Sequence, residues 1–276
     1  MRACRIIAVQ EIRDGFRNKW ILAAALLLAV FAVSIAYLGS APVGTVGAPP
    51  LAVSIVSLSS LTVFLLPLLG LMLSYDTVVG EAERGTLSLL LSYPLRRWQF
   101  LAGKFVGQTL IIAVAVLVGY GSAALLLAAE GGWDESAHLG AYGLMMASSV
   151  ALGAAFVAIG YLISTLVAER GTAAGLALGV WLGFVLIYDA ALLGLVVGDE
   201  SGLIGDQLFN ALLVLNPTDA YRMLNLTAFS EVTKYAGLGG VSAAGKAAPA
   251  QSALSLCLWV LLPLLAAGAV FSRKEI

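Results

Sequence analysis

The chain has 276 residues, of which 61% are hydrophobic and only 11% charged, with a formal net charge of −1 and a mean hydropathy of +0.98. So little charge cannot cover a soluble domain of this size, and the balance carries no nucleic-acid footprint. Crossing a bilayer as a helix takes about 20 mostly apolar residues, and backbone polar groups cannot stay unpaired in lipid. The expectation is an all-α integral membrane protein, one transmembrane domain over residues 1–276, with six spans at 20–38, 53–75, 105–129, 140–167, 172–197 and 253–271. The alternating strands of an outer-membrane barrel are absent.

Residues 1–19 place Val9, Ile12, Phe16 and Trp20 on one helical stripe, flanked by Arg2 and Arg13. Arginine side chains at such positions snorkel toward phosphates, so the segment reads as a helix on the membrane surface. The first span is too long and starts too late for a signal peptide and reads as a retained anchor. The connector 39–52 holds Gly39, Pro42, Gly44, Gly47, Pro49 and Pro50 and no charge.

Lysine and arginine concentrate on the cytoplasmic side of membrane proteins. With the N-terminus inside, twelve basic residues fall on inner segments, and only Arg222, Lys234 and Lys246 fall outside. Both termini are therefore expected in the cytoplasm, with the protein in a bacterial inner membrane. Cys4 and Cys257 form no C-x-x-C or metal spacing and read as packing residues. His138, the single histidine, sits on a short outer loop without a second ligand beside it.

Helix five opens with Gly171, Gly175, Gly179 and Gly183, a spacing that lets another backbone approach closely. That approach could come from helix four of the same chain or from a second copy. Gly103 and Gly107 repeat the spacing once. Asp189 is the one ionisable residue well inside an expected span. It is a functional candidate at membrane depth, or a headgroup-level residue if the helix ends slightly earlier.

The outer segment 198–252 is too long for a plain connector. Ile204, Leu208, Leu212 and Leu215 form one helical stripe. Asn216 then reads as the N-cap of a second helix, with Pro217 in first position and Asp219 reaching back. That helix carries Tyr221 and Arg222, and the segment reads as a re-entrant or surface-lying cap where an outside partner could dock. Residues 240–246 spell most of a phosphate loop, but Ala247 replaces the magnesium-binding hydroxyl and no strand precedes it.

No paired acid and base lie at one depth, so intramembrane hydrolysis is not indicated. Nor does a line of soft ligands mark a copper path. Energy must come from a partner, which turns attention to residues 76–104. There Glu81, Glu83 and Arg84 form a polar rim, and Gly85 and Thr86 lead into a short helix whose Leu87, Leu90 and Leu91 make an insertion face. Pro94 stops that helix, and Arg96, Arg97 and Trp98 anchor the next turn.

The pattern Glu81-x-Glu83-x-Gly85-Thr86-Leu87-x-Leu89-Leu90-Leu91-Ser92-x-Pro94-x-x-Arg97, ending at Lys104, resembles the cytoplasmic coupling segment of ABC-2 type transporter permeases. The resemblance extends to the whole plan of six spans, surface helix, long last outer loop and basic tail. It implies a coupling segment seated in a groove of a separate cytosolic ATPase, which would hold the ATP and magnesium, and a pair of permease copies. The chain itself is then no enzyme and binds no cofactor. Residues 76–104, 215–225 and 271–276 are similar to those of a narrower group within the family. Those permeases work with a cytosolic ATPase and a periplasmic β-helical protein in maturing the copper site of nitrous-oxide reductase. Export of a lipid, glycan or drug-like cargo is the alternative the family allows, and a passive membrane scaffold the alternative outside it.

Overall fold

The computed structural model describes residues 2–17, 19–39, 50–92, 96–129, 136–198, 205–227 and 249–274. The helices are α1 (Arg2–Arg17), α2 (Lys19–Gly39), α3 (Pro50–Ser74), α4 (Val79–Glu83), α5 (Thr86–Ser92), α6 (Arg97–Ala129), α7 (Ser136–Leu166), α8 (Arg170–Leu182), α9 (Tyr188–Gly198), α10 (Asp206–Leu215), α11 (Pro217–Thr227) and α12 (Pro249–Arg273). A π turn, Gly183–Ile187, joins α8 to α9. Among the described residues, the helical stretches of α3, α6, α7, α8–α9 and α12 are long and apolar enough to cross a bilayer. The chain is thus all-helical, with five such stretches, and α2 adds 21 largely apolar residues.

α7 is the central post. Within its apolar window 72% of residues are buried, against 11% for α8–α9. α3 and α12 pack along α7, while α6 packs along α1 and α2. Close approach depends on missing side chains. A methyl group at Gly70 would lie 2.8 Å from the Gly153 carbonyl, so α3 and α7 meet backbone to backbone. At Gly103 it would lie 2.8 Å from Ile7 Cβ, and at Gly107 2.7 Å from Glu11 Cβ. The glycine pair on α6 is therefore the seat of α1.

The glycines of α8 behave differently. Among the described residues no atom approaches the β-position of Gly171, Gly175, Gly179 or Gly183 within 4 Å. Packing of that stripe against helix four of the same chain is therefore excluded. α1 also turns a different face inward than its apolar stripe suggests: Ala8 and Gly15 are buried against the bundle, whereas Val9 is 54% exposed.

Helix ends at the basic end of the bundle are closed by cations, as the carbonyl-rich C-terminus favours. Arg97 Nη1 donates to the carbonyls of Phe271 at 2.7 Å and Lys274 at 2.6 Å. Lys274 Nζ donates to those of Thr165 and Val167. Arg97, expected as a lipid-interface anchor, instead ties α6 to the end of α12. Trp98 beside it stays exposed.

Candidate functional site

Two polar networks stand at opposite ends of the bundle. At the basic end, α4 and α5 form a helical hairpin that turns at Gly85, whose φ of 68° a side chain would strain. The root of the hairpin is fixed: the amides of Val78 and Val79 donate to Ser164 Oγ on α7 at 2.9 and 3.1 Å. Thr86 donates its hydroxyl to the Glu81 carboxylate, and Lys104 Nζ lies 3.2 Å from Glu81 Oε1 and 3.5 Å from Glu11 Oε2. Gln108 Nε2 extends this chain to Glu11 and Thr77. α1, α4, α5 and α6 thus share one hydrogen-bonded charge cluster.

A second set of contacts crosses to α8. Glu83 Oε1 accepts from the Arg170 amide at 2.7 Å, an acid at a helix N-terminus as the dipole favours. Asp76 Oδ2 lies 2.7 Å from Arg170 Nη2 and 3.9 Å from Arg84 Nη2. A cavity of about 560 Å³ opens beside the cluster, with Glu11, Asp76, Lys104 and Arg170 at its polar wall and Leu66 and Ile112 at its apolar one.

The expected rim and insertion face are rearranged. Glu83, Arg84 and Gly85 are exposed as a rim requires, but Glu81 turns inward to Lys104. Leu87, expected to insert into a partner, is 2% exposed and belongs to the chain's own core, while Leu89 is 66% exposed. The physical reason is helical phase: a two-turn helix lying on the bundle must bury one face, and Leu87 is on it. The side chains of Leu90 and Leu91, and Pro94 altogether, lie outside the described residues.

At the opposite end, α10 and α11 meet at Asn216, which is extended (φ −85°, ψ 126°) and completely buried. It is the N-cap of α11 as its sequence indicates: Oδ1 accepts from the Thr218 amide at 3.1 Å. Its amide group donates to Asp219 Oδ2 at 2.9 Å and to the Phe184 carbonyl at 3.0 Å. Thr218 Oγ1 lies 3.3 Å from the same carbonyl. Phe184 belongs to the π turn, where the wider i→i+5 winding disturbs the regular helical ladder.

Arg222 completes this network. Its guanidinium reaches Asp219 Oδ1 at 2.9 Å and Asp189 Oδ2 at 3.2 Å. Asp189, without an apparent partner within the spans, is paired by Arg222 of the segment between α9 and α12. Tyr188 Oη donates to the Leu212 carbonyl at 2.7 Å, and Trp259 Nε1 of α12 donates to that of Leu215 at 2.8 Å. The α10–α11 junction is thereby clamped from both sides.

These contacts correct the docking reading. Asn216, Pro217, Asp219 and Tyr221 are buried by the chain itself, so none of them offers a surface to another protein. α11 folds back into the bundle, where Tyr221 meets Ser149 and Asn225 meets Ser148 of α7. Leu208 remains exposed, and Leu212 and Arg222 are half-buried. The sequence reading missed Asp76, Glu11, Ser164, Arg170 and the Phe184 carbonyl. Opposed charges at the short connections after α3 and α7 were a usable signal for Asp76 and Arg170, but the π turn has none.

A family model for ABC-2 family transporter proteins matches residues 5–276. The chain belongs to the ABC-2 transporter family. The probable ABC transporter permease protein NosY of Stutzerimonas stutzeri is 49% identical over 278 residues, covering 97% of each chain. The protein of the same name from Pseudomonas aeruginosa is 45% identical over 274 residues, covering 98% of each. The protein is therefore a multi-pass ABC transporter permease similar to NosY, and such a permease works with an ATPase partner. Among the described residues no group of three or more His, Cys, Asp or Glu side chains is placed to hold a metal ion.

Proposed function

We propose that this permease transmits the work of a cytosolic ATPase across the bacterial inner membrane to a periplasmic partner, in assembly of the copper site of nitrous-oxide reductase. α2 is the sixth span, α1 lies at the inner surface, and both termini are cytoplasmic. The α4–α5 hairpin is the input: its exposed Glu83, Arg84, Gly85 and Leu89 face the ATPase, while Glu81 and Leu87 hold its root. The output is the α10–α11 region, where Leu208, with Leu212 and Arg222, is accessible to a periplasmic β-helical protein. Two copies of the permease pair in the complex, and ATP and magnesium stay on the ATPase.

The observation that carries this reading is the hairpin itself, with Arg84 and Leu89 exposed at its tip and its body bonded to α6, α7 and α8. Leu89→Asp and Arg84→Glu are expected to abolish co-purification of the ATPase while the permease still folds. Undiminished ATPase binding by both variants would sink the input assignment. The cavity beside the hairpin supports a second reading, export of a lipid, glycan or drug-like cargo. ATP-driven movement of such a cargo by the reconstituted complex would favour export over transmission.

A further inference from the structure

We infer that the helix running from Arg170 to Gly198 is the transmission rod. On this assignment Arg170 receives motion from the hairpin, and Phe184 and Asp189 deliver it to the α10–α11 junction. The inference rests on the transmission reading and adds the route.

Three observations converge on this helix. Its inner end is held by directional polar bonds from the hairpin: Glu83 to the Arg170 amide and Asp76 to the Arg170 guanidinium. Its far half is held by equally directional bonds to the hinge between α10 and α11: Asn216 and Thr218 on the Phe184 carbonyl, Arg222 on Asp189, and Tyr188 on the Leu212 carbonyl. Between them the helix is the least embedded of the five described candidate spans, 11% buried, with a glycine stripe that no described atom fills; Ala173 and Ala177 face the bundle, and Trp181 Nε1 donates to the Phe64 carbonyl.

A helix fastened at Arg170 and again at Phe184–Asp189, and lightly embedded between, can shift as a unit. By contrast α7, interlocked with α3 and α12, is the fixed frame. At 1.5 Å per residue the rod spans about 21 Å from Arg170 to Phe184 and about 28 Å to Asp189. A shift at the hairpin therefore reaches the opposite half of the bundle without deforming the core between. It arrives at Asn216, the extended residue separating α10 from α11, so displacement there re-aims α10 and its exposed Leu208. Asp76, Glu83, Asn216, Thr218 and Arg222 are the positioning residues of this route.

The test uses the permease purified with its ATPase in lipid nanodiscs, carrying Cys4→Ala and Cys257→Ala, with spin labels at Leu125→Cys on α6 and Leu208→Cys on α10. Both labelled positions are exposed. Without further change the label distance should shift when ATP is bound and hydrolysed. Asp189→Asn and Thr218→Val should leave ATP hydrolysis at the parent rate. Each should cut the population of the shifted outer conformer by about fivefold or more, the low end of ordinary coupling between distant sites. The swap Asp189→Arg with Arg222→Asp, which restores the pair in reverse, should recover the shift. Retention of the full outer shift by both single variants overturns the rod while the transmission reading stands. An absent shift in the parent complex overturns the transmission reading and the rod with it. Equal loss of hydrolysis and shift in the single variants, unrecovered by the swap, assigns these residues to stability and also overturns the rod.

Discussion

The two polar networks hold similar chemistry in opposite settings. At the basic end, Arg170 and Asp76 have side chains 45% and 24% exposed, so their attraction is shared with water and ions. At the far end Asp219 is 2% exposed beside Arg222 at 32%, and Asn216 is completely buried. Water can replace a lost partner at Asp76 and Arg170 and cannot at Asn216 and Asp219. Under the proposed transmission reading, the first would exchange its own contacts for those of an ATPase, and the second would hold the junction in one geometry between strokes.

That contrast predicts a graded series. Arg222→Met leaves Asp189 and Asp219 facing each other without a cation. It should cost about 3 kcal/mol, the low end for a broken buried pair because the guanidinium is partly exposed, read by thermal denaturation of the purified permease. Asn216→Ala strips the Phe184 carbonyl and Asp219 of a donor and should cost about 2 kcal/mol by the same measurement. Gly107→Val drives a side chain into Glu11 and the Ala8 carbonyl, at a cost of about 1–2 kcal/mol, and should release α1, seen as faster alkylation of Cys4. Gly175→Val meets no described residue, so the monomer should keep its stability; loss of the dimer alone would assign the stripe to the second copy. Asp76→Asn should cost about 0.5 kcal/mol, fading at high salt. A large, salt-independent loss at Asp76 would break the comparison.

How far the sequence could be read differs between the same two regions. Composition and apolar run lengths were enough for the helical membrane class, because lipid leaves the backbone no other way to satisfy its polar groups. Asn216 and Pro217 announced the start of α11 because capping is a local event. The fate of that helix was not local. Asp219 and Arg222 suggested an outer surface, yet α11 turns inward because Tyr221 and Asn225 find Ser149 and Ser148 on α7, some 70 residues earlier in the chain. In the hairpin the residue types were legible, but the division between rim and root was not. Which of Glu81 and Glu83 faces outward depends on where Lys104 and Arg170 arrive.

The glycines state the same lesson most plainly. Identical four-residue spacing appears on α6 and α8. The sequence by itself determined that both helices offer a face without side chains, together with the helical class and the cap at Asn216. Only the tertiary structure decided that α1 fills the first face and that no described residue fills the second, and that Asp189 is paired by Arg222. Spacing along a helix fixes which groups share a face; the partner of that face is chosen by the packing of distant segments, and no local pattern encodes it.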